Sequence, residues 1–121
     1  RHDLEQAGYR PVAAVMVDGV GEVDLVLSPR PQAIVPGPAE GTHVLTAAAC
    51  PALLIETDGY TYQSSRPDWH SDHLRDQAAL ARGHIPLRLT SDQVLDRETV
   101  RIVSSVTRRL GIHPDVTPGD F

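Results

Sequence analysis

Ala52-Leu53-Leu54-Ile55 is an unbroken apolar run that gives way to Glu56, Asp58 and Gly59. A strand with no polar alternation is suited to burial on both faces, so this run predicts a central strand over Ala52 to Thr57. Such a strand needs elements packed above and below it, which a chain of 121 residues can supply within one domain. Its polar end raises the functional question, because Glu56 and Asp58 stand two apart and leave the strand on the same side.

The flanking sequence says what surrounds that strand. "HDLEQAGYR" reads as the end of a helix stopped by Gly8. "PVAAVMV" (Pro11 to Val17) is β-branched, "DGVG" is a hairpin signal, and "EVDLVLS" (Glu22 to Ser28) returns as a second strand. In that strand Asp24 falls on the face of Val26. Residues 29 to 51 contain Pro29, Pro31, Pro36 and Pro38 and read as a long loop, with a short extra strand at "HVLTAAA" as an option.

After the central run, Ser65 can cap a helix, Pro67 suits its first turn and Gly83 ends it. Trp69, His73, Ala79 and Leu80 fall roughly on one face of that helix. "HIPLRLT" (His84 to Thr90) is a strand whose Pro86 suggests a sheet edge or an irregular start. "SDQVLD" is a turn or short helix. A final helix carries Val100, Val103, Val106 and Leu110 at helical spacing, with Arg108 and Arg109 at its C-terminal dipole. The expected organisation is one domain over residues 1–112 and a loosely ordered tail over 113–121. Beginning at Arg1, it is expected to be part of a longer chain. A strand–helix–strand unit after a hairpin makes the fold class α/β, a mixed sheet covered by helices.

Charge narrows the functions. The net charge is −5, and all 11 basic residues are arginine. Without lysine there is no P-loop lysine, no Schiff base and no Ser-Lys dyad. Net acidity disfavours generic DNA binding, whose affinity comes mainly from neutralising phosphates, but leaves room for local basic patches. Cys50 is the one cysteine, which rules out an intrachain disulfide and a Cys-type zinc site; its apolar setting suits an inert thiol, and a reducing cytoplasmic location is expected. No run of about 18 apolar residues suggests a membrane span.

If the hairpin strand lies beside the central one, Asp24, Glu56 and Asp58 converge. Carboxylates at that density repel unless a cation neutralises them, and hard oxygen ligands suit Mg²⁺, Mn²⁺ or Ca²⁺. The alternative is that Asp58-Gly59 is simply a turn.

"VGEVDLVL", "LLIETDGYTY" and "SDHLRDQAALARGHIPLRLT", in that order, resemble the domain-of-unknown-function 559 family. That family is similar to the very-short-patch-repair endonucleases of the PD-(D/E)XK superfamily. The resemblance covers roughly residues 18 to 28 and 52 to 110. It implies a restriction-endonuclease-like mixed sheet with an αβββαβ core, and Mg²⁺- or Mn²⁺-dependent hydrolysis of DNA phosphodiester bonds. It also implies that Asp24 and Glu56 are metal ligands and that Asp58 stands at the superfamily's usual lysine. Where the family usually has a histidine after Asp-Gly, this chain has Tyr60, Tyr62 and Gln63. Gln63 could orient a water but not act as a base. The first helix could contribute Glu5 as a further acid. A second expectation follows: a catalytically degenerate nuclease fold that binds DNA, a partner protein or other domains of the same chain.

Among the arginines, Arg66, Arg75 and Arg82 are candidate phosphate contacts, although Asp68, Asp72 and Asp76 on the same helix could pair with them. Arg88, a charge within a strand, requires either a structural partner or a phosphate. His70 and His73 could form a metal site with Asp72 or Asp76, but a solvated helix face is the simpler reading. Trp69 suits helix packing better than base stacking. Ser64 and Ser65 suit caps rather than nucleophiles.

Overall fold

A computed structural model describes residues 2–46, 51–57, 66–95 and 97–112, the side chains of residues 31 and 66–72 excepted. In chain order its elements are α1 (His2–Gln6), β1 (Val12–Val17), β2 (Gly21–Leu27), a short 3-10 turn (Pro31–Ala33), β3 (Ile34–Pro36), β4 (His43–Leu45) and β5 (Leu53–Thr57). There follow α2 (Arg66–Ala81), β6 (Ile85–Leu89), α3 (Ser91–Leu95) and α4 (Thr99–Leu110). The six strands form one mixed sheet in the order β3-β4-β1-β2-β5-β6. β1, β2 and β5 run antiparallel in succession. β5 and β6 are parallel, with α2 as the crossover between them.

Local chemistry explains the main boundaries. The β1–β2 turn passes through Gly19 at φ +76°, a left-handed conformation that costs glycine little. α4 ends at Gly111, also left-handed, whose N–H donates to the Thr107 carbonyl. Pro86 is tolerated because β6 is an edge strand, as expected.

β5 does separate two cores. Ala52 and Leu54 pack with Val15, Val17, Val23, Val26, Leu45 and, from α2, Ala79. Leu53 and Ile55 pack on the other face with Leu27, Leu89, Leu4 of α1 and Val103 of α4. Leu53, Ile55, Leu27 and Leu89 are all essentially inaccessible. Each such side chain contributes about 1.5–3 kcal/mol relative to exposure. Tyr9 ties α1 to α4, its hydroxyl lying 3.1 Å from both Ser104 Oγ and Thr107 Oγ1.

Three expectations change. The segment from 29 to 46 is not one long loop. β3 and β4 form an antiparallel pair, and β4 adds to β1 in parallel, so this segment widens the sheet. Short strands joined by Pro-Gly turns lack the length that marks strands in sequence. On α2, Ala79 is buried but His73 and Leu80 are exposed, Leu80 at 57%. The helix meets the sheet through a narrower strip than the sequence pattern indicated. Finally, β1 and β2 do not alternate regularly. Val12 and Val15 face the same core, as do Val23 and Val26. The change of face falls between the pairs Ala13↔Leu25 and Val15↔Val23, where Ala14 takes φ +56°. Asp24 is the residue opposite that break.

Among the described residues no helix is long and apolar enough to cross a membrane.

Candidate functional site

The β2–β5 pairing brings together the strand ends that carry Asp24 and Glu56. β2 and β5 pair as Leu27↔Leu53, Val26↔Leu54 and Leu25↔Ile55, and Asp24 and Glu56 are the next residue on each strand beyond those pairs. Asp24 is exposed, and its Oδ2 accepts a hydrogen bond from the Thr57 N–H at 3.3 Å. On the other side of β5, Glu56 is paired in register with Arg88 of β6. Three charged residues therefore stand in a row across neighbouring strands β2, β5 and β6.

The helix above this row supplies the counter-charges. Arg75 of α2 places Nη2 3.0 Å from Glu56 Oε1 and also donates to the Glu22 carbonyl. Arg88 donates through Nη2 and Nε to both Asp76 oxygens, at 2.9 and 3.2 Å, while its Nη1 lies 3.9 Å from Glu56 Oε2. Asp76 and Glu56 thus share two guanidiniums between α2 and the sheet. Glu56 is the least exposed member, with 16% of its side chain accessible. A carboxylate so placed needs a positive partner.

These contacts bear on several expectations. Arg88 has a structural partner in Asp76. Arg75 pairs across to the sheet rather than along its own helix, because the face of α2 turned toward β5 meets Glu56. Arg82 is 3.9 Å from exposed Asp18 in the β1–β2 turn, so its pairing is also between elements. Sequence spacing could show only pairs within α2; pairs between elements need the register of β5 and β6. Glu5 is exposed on α1. His73 is exposed and Asp76 is committed to Arg88, so the described part of the His70, Asp72, His73 and Asp76 group does not assemble a metal site. Asp58, Gln63, Cys50, Tyr60, Tyr62, Ser64, Ser65 and the tail lie outside the described residues, as do the side chains of Arg66, Asp68, Trp69, His70 and Asp72.

Among the described residues no three His, Cys, Asp or Glu side chains converge to hold a metal ion. Two of the expected ligands, Asp24 and Glu56, lie on paired strands, each one residue beyond the Leu25↔Ile55 pair. Their oxygens are of the type that Mg²⁺ and Mn²⁺ take, and Mg²⁺ commonly uses one or two carboxylates, completing its shell with water and phosphate. The donor set fits in kind, on the condition that Arg75 yields Glu56.

One polar residue escaped sequence reading. His84 is buried at the start of β6, and its Nδ1 accepts the Ala52 N–H at 3.1 Å. Burial, and secondarily the charge of Arg82, lower its pKa below the ordinary 6.5. Its position just after Gly83 gave only the signal of a strand start.

A cleft of about 400 Å³ lies between β1, β4 and the turn after β3, lined by Ala14, Met16, Val44, Pro38, His43 and Glu22 among others. Met16 is 49% exposed there. This cleft shares Glu22, though not the acidic pair, with the site above.

No family model, curated protein or solved structure matches this chain.

Proposed function

We propose that this is a nuclease-like domain that acts on DNA phosphodiester bonds, with Asp24 and Glu56 as its acidic pair. The observation that supports the reading is that they lie on paired antiparallel strands, β2 and β5, just before a strand–helix–strand crossover. With the β3–β4 insertion set aside, α1, β1, β2, β5, α2 and β6 give the order αβββαβ of the restriction-endonuclease-like core. Asp24 and Glu56 would hold Mg²⁺ or Mn²⁺, with Asp58 as the third ligand the sequence offers. When bound, such an ion lowers the pKa of a coordinated water and offsets charge on the phosphoryl oxygens. The chain's own residues have separate tasks. Thr57 N–H orients the Asp24 carboxylate, and Asp76 fixes the Arg88 guanidinium beside Glu56.

A second reading is favoured by one contact: Arg75 already balances Glu56. A carboxylate matched by arginine suits a degenerate nuclease fold that binds DNA or a partner protein without cleaving.

A plasmid and oligonucleotide cleavage assay in Mg²⁺ and in Mn²⁺ separates the two, comparing the chain with Asp24→Asn and Asp58→Ala. Metal-dependent cleavage lost in both variants is the expected result. Cleavage indifferent to both substitutions overturns the first reading, and binding with no cleavage in any chain supports the second.

A further inference from the structure

We propose that Arg75 is a tethered counter-ion: its guanidinium fills the cation position on Glu56 and must leave before a divalent ion can bind there. The proposal rests on the nuclease-like reading of Asp24 and Glu56 and adds an autoinhibitory contact to it.

The two arginines near Glu56 are not equivalent. Arg88 is committed to Asp76 through two charge-assisted hydrogen bonds, and its Nη1 stands 3.9 Å from Glu56 Oε2. Arg75 makes the short contact, 3.0 Å to Oε1. The remaining anchors of Arg75 are weaker. Its second acceptor is the carbonyl of Glu22, an exposed residue, where water can replace it. Its Nε is buried with no hydrogen-bond partner among the described residues, so the bound pose leaves one donor unsatisfied. With 29% of its side chain exposed and a long flexible stem, Arg75 has a route into solvent. Released from Glu56, it would remain tethered to α2 above the acidic pair, within reach of an anionic ligand.

Charge arithmetic agrees. Among the described residues Glu56 and Asp76 pair with Arg75 and Arg88, and Asp24 adds a further negative charge. One net negative charge attracts a divalent ion weakly. Removing Arg75 adds one negative charge to the group and takes the 3.0 Å guanidinium contact off Glu56 Oε1.

The test is Mn²⁺ titration without DNA, followed by the electron paramagnetic resonance signal of free Mn²⁺. Arg75→Met, which keeps the apolar stem, should bind Mn²⁺ at least about tenfold more tightly than the unmodified chain, the size expected for removing one partly screened charge and its pair. Adding Glu56→Gln to that variant should abolish the gain. Equal affinity in Arg75→Met and the unmodified chain overturns the proposal, as does a gain that survives Glu56→Gln. Arg75→Gln, which keeps a donor for Glu22, replaces Arg75→Met if the latter does not fold. Failure of both to fold also overturns it, since a displaceable contact cannot be essential to the fold. Tighter Mn²⁺ binding without DNA cleavage leaves this inference standing and removes the nuclease reading. Cleavage by the unmodified chain with unchanged Mn²⁺ affinity in Arg75→Met does the reverse.

Discussion

Arg88 forks onto Asp76, its Nη2 2.9 Å and its Nε 3.2 Å from the two carboxylate oxygens, and so bolts edge strand β6 to helix α2. Both ends are half-buried. Arg88→Lys keeps the charge but loses the planar fork and should lower stability by about 1 kcal/mol. Arg88→Ala should cost about 2–3 kcal/mol, because it leaves two half-buried carboxylates with less compensation. Urea unfolding checks both: the midpoint should fall while the slope stays unchanged. Equal midpoints for the chain and Arg88→Lys would show that only the charge matters.

His84 makes stability depend on pH. Its folded-state pKa lies below 6.5, so the folded chain resists a proton that the unfolded chain accepts. Its stabilisation is complete above pH 6.5 and is lost as pH falls from there through the folded-state pKa. A protonated ring would also cease to accept the Ala52 N–H. The slope cannot exceed about 1.4 kcal/mol per pH unit for this single group. His84→Asn should flatten the melting temperature against pH between about pH 7.5 and 5, the window set by the ordinary imidazole value. An unaltered profile would assign the dependence to other groups.

Tyr9 joins the first described helix to the last. Its hydroxyl meets Ser104 and buried Thr107, so Tyr9→Phe should cost about 1 kcal/mol, the net worth of a buried hydrogen bond. The loss should add to that of Arg88→Lys within about 0.5 kcal/mol, as expected for sites with no shared partner. Coupling beyond that value in the double variant would connect the two faces of the sheet.

Ala14 carries the break in β1 at φ +56°. A left-handed residue with a Cβ costs about 1–2 kcal/mol, so Ala14→Gly should preserve or slightly raise stability. Ala14→Val places a β-branched side chain in that conformation and should cost about 1–3 kcal/mol. Chemical denaturation of the pair gives the sign. Since Asp24 stands opposite, the amide resonance of Thr57, which donates to Asp24, should shift in Ala14→Val. If Val is tolerated as well as Gly, the backbone there is ordinary strand.

The hairpin, the central strand, the crossover helix and the edge strand were legible because each rests on local chemistry. Asp18-Gly19 signals a hairpin turn, Ala52 to Ile55 suits cover on both sides, and Pro86 suits an edge or an irregular strand start. That Asp24 and Glu56 approach each other was an inference about strand pairing; the structure shows β2 and β5 paired as far as Leu25↔Ile55. The β3–β4 pair was not legible beyond a short option at His43, because three-residue strands with prolines have no period to read.

The sequence by itself determined which charged residues exist and on which elements they sit: arginine and carboxylate, never lysine, on α2, β2, β5 and β6. Only the tertiary structure decided who neutralises whom. Arg75 and Asp76 are neighbours in the chain, yet their partners are Glu56 and Arg88 on adjacent strands. Coulomb attraction acts over a few ångströms, and that proximity is created by the parallel β5–β6 register and by α2 crossing above it.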